Sequence, residues 1–274
     1  MVVSVGIPLD ENASFLRGAA LAPENIRKAY HSDSANYWTE SGLDLNQHPG
    51  WKDLGDMTLP AMPEAFEKIE ENILGHLQKG HRILTLGGDH SITYPIIKAF
   101  GKKYSGLTIL HIDAHGDLYD EFEGSKVSHA CPFARIMEEK LATRLVQVGV
   151  RTYNAHQREQ LTKFNVESVE MKDWNDKLRF KFDGPVYISL DLDALDPAFV
   201  PGVSHHEPGG FSTRQVLSII QNIDADFVGA DIVELNPTRD IQNMTAMVAA
   251  KFYKEILDKM IESDGDVNAG SAGR

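Results

Sequence analysis

Short runs of apolar, often β-branched residues alternate with longer segments of helical periodicity along the 274 residues of the chain. Val2–Gly6 and Arg82–Leu86 are predicted strands, whereas Pro63–Lys79 repeats apolar residues at helical spacing and precedes a glycine that would end the helix. Consecutive strands that are connected through helices run parallel, with helices on both faces of the sheet. The alternation therefore predicts an α/β fold of three layers, α/β/α, around a mainly parallel sheet.

The same patterns give the remaining elements. Further strands are predicted at Leu107–Ile112, Arg144–Gly149, Val166–Val169, Val186–Leu190 and Phe227–Val233. Further helices are predicted at Pro23–Ala29, Ser91–Phe100, His129–Glu139, His156–Phe164, Thr213–Ile223 and Thr245–Ile261. No linker rich in Pro, Gly or Ser divides the chain, so residues 1–263 are predicted to form a single domain. The small and polar residues at 264–274 predict a flexible tail.

The chain carries 40 acidic and 27 basic residues, which gives a net charge of −13 with histidine neutral. This excess of acid argues against nucleic acid and anionic membranes as partners, because both attract basic surfaces. Three explanations of the acidic excess remain, namely a cationic substrate, bound metal ions or the need for solubility. The single cysteine, Cys131, excludes an intrachain disulfide, and the N-terminus lacks the pattern of a secretion signal. No apolar run reaches the roughly 20 residues of a membrane span, so we expect a cytoplasmic protein.

Four of the predicted strands are followed directly by groups rich in acidic residues, histidine or glycine. The groups are Gly87-Gly88-Asp89-His90-Ser91, Asp113-Ala114-His115-Gly116-Asp117, Asp191-Leu192-Asp193-Ala194-Leu195-Asp196 and Glu234-Leu235-Asn236-Pro237. Ligands of open α/β sheets bind at the carboxyl ends of the strands. Clustered carboxylates with no basic residue among them repel one another and resist ionisation, so a positive partner is expected at this edge of the sheet.

Residue spacing predicts that six of these side chains bind metal. The six are His90, Asp113, His115, Asp117, Asp191 and Asp193. Residues two apart in extended backbone project to one side, which groups the members of each motif. Four carboxylates balance the charge of two divalent cations, and an oxygen-rich shell with one imidazole per ion suits Mn²⁺. Two neighbouring metal ions lower the pKa of a bridging water, so the predicted chemistry is metal-assisted hydrolysis.

Each group also has a structural interpretation when it is taken alone. Gly-Gly-Asp-His-Ser can be a tight turn with a cap for the next helix, and Asp191-Leu192-Asp193 can be a solvated strand end. Three such groups at the strand ends of one domain favour the metal site. His111 is interpreted as a hydrogen-bonded histidine within its strand, and Asp89 and Asp196 as residues that orient ligands.

Taken together, the motifs resemble those of the ureohydrolase family, which includes arginases and agmatinases. The resemblance rests on Gly-Gly-Asp-His-Ser, Asp-Ala-His-x-Asp and Ser-x-Asp-x-Asp-x-Leu-Asp-Pro-x-x-x-Pro-Gly, and it extends from Gly6 to about Met260. The runs 119–124 and 202–210 are similar to the plant-type, agmatinase-like arginase branch. The resemblance implies the three-layer fold, the six metal ligands given above and two Mn²⁺ ions per subunit with a bridging hydroxide. It also implies a homo-oligomer, either a trimer or a hexamer.

The family's reaction is hydrolysis of a small cationic guanidino substrate to urea and an amine. Glu234 matches the glutamate that binds the guanidinium group, and His129 matches a histidine that passes a proton to the leaving amine. Asp117 could share this proton transfer, because it would be a metal ligand beside the bridging position. Cys131 lies close to His129 in the sequence, but the metal site makes a nucleophilic thiol unnecessary.

The residues leave the substrate open between agmatine and arginine. Tyr119 stands where animal-type arginases carry an asparagine, and Asn154 stands where the family usually has an aspartate. Both are candidate substrate-binding residues, with His129 and Glu234. The acidic start of the loop 120–127 would suit the distal amine of agmatine, whereas the plant-type resemblance favours arginine. Guanidinobutyrate is a further candidate substrate. The adjacent residues His205 and His206 either line the mouth of the pocket or lie on the surface.

Other functional classes share parts of this pattern. Metallophosphoesterases also use Asp-x-His, but they need a Gly-Asn-His-Asp/Glu group that this sequence lacks. Deacetylases of the arginase-like fold bind one zinc ion and need neither the second histidine nor the full Asp-x-His-x-Asp motif. A binding module without catalysis is disfavoured because all six ligand positions are filled.

Overall fold

The computed structural model describes the backbone of residues 1–271 and the side chains of residues 1–264. Its strands are β1 (Val2–Gly6), β2 (Trp51–Asp56), β3 (Arg82–Leu86), β4 (Thr108–Ile112), β5 (Arg144–Val148), β6 (Glu167–Val169), β7 (Pro185–Asp191) and β8 (Asp226–Val233). The described strands form one sheet in the order β2-β1-β3-β8-β7-β4-β5-β6, with every neighbouring pair parallel. The predicted parallel sheet is confirmed.

Helices cover both faces of this sheet. They are α1 (Ala22–Tyr30), α2 (Glu64–Gln78), α3 (Thr93–Lys103), α4 (Pro132–Glu138), α5 (Ala155–Phe164), α6 (Thr213–Asn222) and α7 (Met244–Ser271). Helices α2, α3 and α4 pack in series on one face, and α1 and α6 pack against α7 on the other. Successive strand residues alternate between two hydrophobic cores, so Val2 and Leu84 belong to one core and Val3 and Ile83 to the other. This arrangement confirms the three-layer α/β/α fold.

The four strands whose ends carry the acidic groups are neighbours in the sheet. Strands β3, β8, β7 and β4 occupy consecutive central positions, although they are far apart in the sequence. Because all four run parallel, their carboxyl ends lie at one edge of the sheet. The topology therefore brings the four motifs to the same place.

Strand β2 is missing from the sequence-based prediction. It lies at the edge of the sheet, and its residues alternate between half-buried and exposed. Its sequence contains Lys52, Asp53 and Asp56 and has no continuous apolar run. Charged residues suit an edge strand because only one side of the strand is paired, and for the same reason the segment does not show the pattern of a buried strand.

The helix predicted to begin at His129 begins instead at Pro132. That part of the prediction is wrong, and the proline explains the boundary, because its fixed φ and missing N–H suit the first helical position. His129 lies in the preceding turn, where its backbone N–H donates to the Asn12 carbonyl at 3.1 Å. This contact joins the turn to the N-terminal loop.

The last helix, α7, continues to Ser271 and is longer than the predicted helix, which ended at Ile261. The tail predicted at 264–274 is therefore helical in its backbone as far as Ser271, and residues 272–274 lie outside the described residues. The single domain and the flexibility of the tail remain predictions. None of the described helices is both long and apolar enough to cross a membrane.

Replacement of Gly229 by alanine should destabilise the fold. Gly229 lies in β8, and a Cβ atom there would lie 2.3 Å from the Phe100 ring and 2.9 Å from the Tyr187 ring. We expect a loss of about 1–3 kcal/mol in the free energy of unfolding, measured by urea denaturation, because both rings are enclosed in the core. Gly75→Ala is the matched control, since nothing lies within 4 Å of its added Cβ in helix α2. It should stabilise the protein by up to about 1 kcal/mol, and equal effects of the two changes would contradict this packing argument.

Candidate metal centre and active site

Six side chains from three strand ends meet at the carboxyl edge of the central strands. His90 begins a short helical turn after β3, Asp113 follows β4 directly, and Asp191 is the last residue of β7. All six are the residues predicted from the sequence: His90, Asp113, His115, Asp117, Asp191 and Asp193. Five of them are buried, and the sixth, His115, is partly exposed.

The side chains form two overlapping groups of donor atoms. One group contains His90, Asp113 and Asp117, with His111 nearby, and the other contains Asp113, His115 and Asp193. Within each group the candidate ligand atoms lie within 4.8 Å of one another. Asp113 belongs to both groups. The arrangement therefore suits two cations that share a carboxylate.

His90 has one ring nitrogen aimed at three carboxylates. Its Nδ1 lies 3.2 Å from Asp113 Oδ2, 3.1 Å from Asp117 Oδ2 and 3.2 Å from Asp191 Oδ2, yet it is buried without a hydrogen-bond partner. Two atoms that each lie about 2.1 Å from one ion at right angles are about 3.0 Å apart. The observed spacings therefore fit ligands that share one small cation.

The other ring nitrogen of His90 explains this orientation. Its Nε2 lies 2.9 Å from Ser189 Oγ, and the Ser189 hydroxyl donates to Asp231 Oδ1 at 2.7 Å. Because the Ser189 hydroxyl donates its hydrogen bond to Asp231, its oxygen accepts a hydrogen bond from the N–H group at His90 Nε2. This leaves the lone pair of His90 Nδ1 free for a metal ion, as in other histidines that bind metal.

Charge also favours a bound cation at this cluster. Burial, together with the charges of Asp193 and Asp113, raises the pKa of Asp191 well above its ordinary value. Burial and Asp113 likewise raise the pKa of Asp193 to about 6, although His115 opposes the shift. Carboxylates that are buried this close together favour neutral forms unless cations offset their repulsion. The donor set therefore fits divalent metal ions.

His111 supports Asp113 from within strand β4. Its Nε2 lies 2.7 Å from Asp113 Oδ2, its Nδ1 lies 2.9 Å from Gln147 Nε2, and its ring stacks on Phe133 at 3.9 Å between centroids. The Gln147 amide donates to Nδ1, so Nε2 carries the proton and donates to Asp113. Both nitrogens have partners, which matches the interpretation of His111 as a hydrogen-bonded strand residue.

Glu234 and His129 form a buried pair beside the cluster. Glu234 Oε1 lies 2.8 Å from His129 Nδ1 and accepts from the His90 backbone N–H at 2.9 Å. Burial opposes ionisation of Glu234, but His129 and the His90 N–H hold its pKa below the usual value. Burial would likewise lower the pKa of His129, whereas Glu234 raises it to about 9. The pair therefore favours an ionised carboxylate next to a protonated imidazole.

A cavity of about 190 Å³ opens onto this cluster and this pair. Its wall contains Ser14, His115, Asp117, Tyr119, Phe122, His129, Ala130, Thr152, Gln157, Asp191, Asp193, His205 and Glu234. Its four carboxylates belong to the metal cluster or to the pair, and the other wall residues outside the cluster and the pair, here called the outer wall, carry no acidic group. Of the two adjacent histidines, 205 lines the cavity and 206 does not.

Two candidate substrate-binding residues, Asn154 and Tyr119, contact each other. Asn154 donates from Nδ2 to the Tyr119 hydroxyl at 2.7 Å, and its Oδ1 accepts from the Gln157 backbone N–H at 2.9 Å. Asn154 thereby caps helix α5, and it does not line the cavity, whereas Tyr119 does. Any effect of Asn154 on substrate would have to act through Tyr119.

The acidic side chains of the loop after Tyr119 do not line the cavity, although Phe122 of the same loop does. Asp120 lies 3.0 Å from Arg135, and none of Asp120, Glu121 and Glu123 is part of the cavity wall. The suggestion that these residues bind a distal amine therefore finds no support in the geometry. Cys131 is buried, and burial raises the pKa of its thiol to about 12, which disfavours a thiolate nucleophile.

Some residues of the site were missed in the sequence. Ser189 and Asp231 orient His90, and Ser14 lies 2.7 Å from His129 Nε2 through its hydroxyl oxygen. Asp231 carried a signal, because it is a lone acidic residue inside the apolar run of a predicted strand. Asp196, interpreted as a residue that orients ligands, instead accepts from the backbone N–H groups of Ala198 and Gly209 in its own loop.

Comparison with known proteins assigns the chain to a family. A model described as the Arginase family matches residues 1–258. The chain belongs to the arginase family. It is 47% identical to Arginase 1, mitochondrial, of Arabidopsis thaliana, with 93% of this chain and 80% of that protein covered. It is also 35% identical to the mitochondrial agmatinase of Gallus gallus, with 92% and 79% covered.

The fold agrees with this assignment. A solved arginase from Medicago truncatula superposes with a TM-score of 0.88 at 41% identity, with 94% of this chain and 87% of that chain covered. The resemblance to ureohydrolases, including the plant-type branch, is confirmed. This arginase-family protein is therefore a hydrolase of amidine C–N bonds, which disfavours the phosphoesterase, deacetylase and non-catalytic alternatives.

Replacement of Ser189 by alanine should weaken metal binding. The change removes the acceptor of His90 Nε2 and frees the ring to rotate away from the three carboxylates. We expect affinity for manganese to fall about 10–100-fold, measured by titration against a chelating dye. Ser218→Ala, on helix α6 and outside the cavity wall, is the control. Unchanged affinity in Ser189→Ala would contradict the orienting role.

Proposed function

We propose that this arginase-family protein hydrolyses the guanidino group of arginine to urea and ornithine at a two-manganese centre. Agmatine, which would give urea and putrescine, is the second candidate, because an agmatinase is among the relatives. The observation that carries the proposal is the pair of overlapping donor groups beside Glu234 and His129 in one cavity. Water adds at the guanidino carbon, and the bond from that carbon to the alkyl nitrogen breaks.

The six side chains of the cluster would hold the two ions. They are His90, Asp113, His115, Asp117, Asp191 and Asp193. Manganese held by these residues would act as a Lewis acid and lower the pKa of a coordinated water toward neutrality. The protein fixes the positions of the ligands through Ser189, Asp231 and His111.

Glu234 would bind the guanidinium group of the substrate. Its Oε1 is occupied by His129 and by the His90 N–H, whereas Oε2 has no hydrogen bond to any described residue. A carboxylate binds a guanidinium through charge-assisted hydrogen bonds. The lowered pKa of Glu234 keeps it ionised for this role.

His129 would give a proton to the leaving amine. Its Nδ1 faces Glu234, and its Nε2 faces the Ser14 hydroxyl on the cavity wall. With a pKa of about 9, the imidazole is protonated near neutrality and can act as a general acid. Asp117, which also lines the cavity, would take up the proton released from the attacking water and pass it on.

Three observations favour arginine over agmatine. The outer wall presents neutral groups such as Tyr119, Thr152 and Gln157, and it contains no carboxylate to bind the distal ammonium of agmatine. Tyr119 accepts a hydrogen bond from Asn154, so its own hydroxyl proton is available to a substrate carboxylate. The Arabidopsis relative, at 47% identity, is an arginase. Guanidinobutyrate also carries a carboxylate and remains an alternative.

A cytoplasmic location and a homo-oligomer of three or six subunits complete the proposal. The buried single cysteine agrees with a reducing compartment, and the oligomer rests on the family resemblance. The Arabidopsis relative is named as mitochondrial, so the location of a tagged chain would decide between compartments. Light scattering of the manganese-loaded protein would give the number of subunits.

Urea release from a panel of substrates tests the reaction. The manganese-loaded protein should release urea from arginine with a higher kcat/KM than from agmatine or guanidinobutyrate, because the outer wall lacks a carboxylate. A higher kcat/KM for agmatine would make agmatine, and not arginine, the preferred substrate. No urea from any guanidino compound would overturn the function.

Two substitutions separate the metal ligands from the proton donor. Asp191→Asn should lose bound manganese and at least about 100-fold in kcat, because one carboxylate of the cluster becomes neutral. His129→Ala should keep its manganese and lose about 10²–10⁴-fold in kcat. Metal content by atomic spectroscopy is measured beside urea release for both proteins. Full activity of Asp191→Asn with manganese in excess would contradict its role, and metal loss in His129→Ala would reassign that histidine.

A further inference from the structure

The adjacent histidines at 205 and 206 have different environments. His205 lines the cavity, whereas the exposed His206 faces away and lies 2.8 Å from the Pro201 carbonyl through its Nε2. The difference provides a pair of chemically identical side chains, one at the site and one outside it.

The ring of His205 lies between the reacting residues and the exposed Phe15. Its centroid lies 5.4 Å from that of His129, 5.8 Å from that of His115 and 5.5 Å from that of Phe15. His129 and His115 belong to the reacting end, and Phe15 is 62% exposed at the outside. A substrate with its guanidinium at Glu234 would pass this ring as its chain leaves the cavity.

Neither ring nitrogen of His205 has a hydrogen-bond partner among residues 1–264, whose side chains the structure describes. The neighbouring imidazoles differ, since His90 donates to Ser189, His111 to Asp113, and His129 to Glu234. A half-buried imidazole on a cavity wall with two free nitrogens is available to a ligand.

The backbone that carries His205 is held firmly. The buried hydroxyl of Ser204 donates to the Leu16 carbonyl at 2.9 Å and accepts from Asn236 Nδ2 at 2.9 Å. On the other side, Arg151 Nε donates to the Glu207 carbonyl at 3.0 Å. The ring is therefore presented from a fixed segment, as a group that determines specificity requires.

We propose that His205 donates a hydrogen bond to the carboxylate of the substrate and thereby sets the preference for arginine over agmatine. The inference rests on the proposed function and assigns the residue that distinguishes its two candidate substrates. Arginine and agmatine differ only in that carboxylate. An imidazole always carries at least one N–H group, and neither ring nitrogen of His205 is engaged by a described residue, so the ring can present a donor to the cavity.

Three substitutions at this position separate hydrogen bonding from packing. His205→Gln keeps an N–H donor, His205→Phe keeps the ring without a donor, and His205→Ala keeps neither. His206→Ala is the control, because that side chain lies outside the cavity wall. The ratio of kcat/KM for arginine to kcat/KM for agmatine is measured for each manganese-loaded protein, together with its metal content.

The ratio should fall about tenfold or more in the Ala and Phe variants, chiefly through the KM for arginine, and should recover substantially in the Gln variant. It should stay unchanged in His206→Ala. An unchanged ratio in His205→Ala would overturn the proposal. Recovery by Phe rather than Gln would also overturn it, because packing alone would then explain the effect.

Calorimetric binding of the two product amines gives a readout that does not depend on turnover. His205→Ala should weaken binding of ornithine about tenfold relative to putrescine, since only ornithine carries the carboxylate. Equal changes for both amines would contradict the proposal. If the wild-type protein makes no urea from any guanidino compound, the proposed function fails, and this binding comparison still decides the role of His205.

Discussion

The constraint on which the site depends is the burial of four carboxylates at one edge of the sheet. Asp113, Asp117, Asp191 and Asp193 lie beside the imidazoles of His90 and His115, and Asp113 also accepts a hydrogen bond from His111. Burial, together with repulsion from neighbouring carboxylates, raises the pKa values of Asp191 and Asp193, so the folded chain favours cations there. The surrounding hydrogen bonds serve this need, because Ser189 and His111 orient a ligand each while adding no charge of their own beside the carboxylates.

The sheet creates this crowding through its strand order. The ends of β3, β8, β7 and β4 are consecutive, so loops from distant parts of the chain must pack closely. Gly88 shows how close they come, because a Cβ there would lie 1.7 Å from the Leu9 carbonyl oxygen. Asp117 and Glu234 adopt φ values of +46° and +65°, in the left-handed region that such residues seldom occupy. Backbone strain of this kind is often concentrated at functional sites, and here it falls on two acidic residues that line the cavity.

Much of this arrangement could be predicted from the sequence, because it follows from two periodicities. The β–α alternation indicated a parallel sheet, and the i, i+2 spacing of Asp113 and His115 indicated which side chains would converge. What could not be predicted depends on contacts between distant segments. Ser189 and Asp231 act through a hydrogen-bonded chain across two strands, and His129 meets Ser14 across 115 positions of the sequence. Such contacts between distant segments leave no local pattern in the sequence. The polar edge strand β2 was missed for another reason, because it lacks the apolar run that is typical of a buried strand.

The positions of the acidic residues also change the interpretation of the net charge of −13. The sequence suggested that the acidic residues after Tyr119 bind a cationic tail, but Asp120 pairs with Arg135 and does not line the cavity. The carboxylates of the cavity wall are therefore those of the metal cluster and Glu234, where metal ions and a guanidinium would offset their charge. The outer wall is left to neutral donors and acceptors such as Tyr119 and His205. Discrimination between substrate tails must then come from hydrogen-bond complementarity, which rejects an analogue that leaves a polar group unpaired, rather than from the bulk charge of the protein.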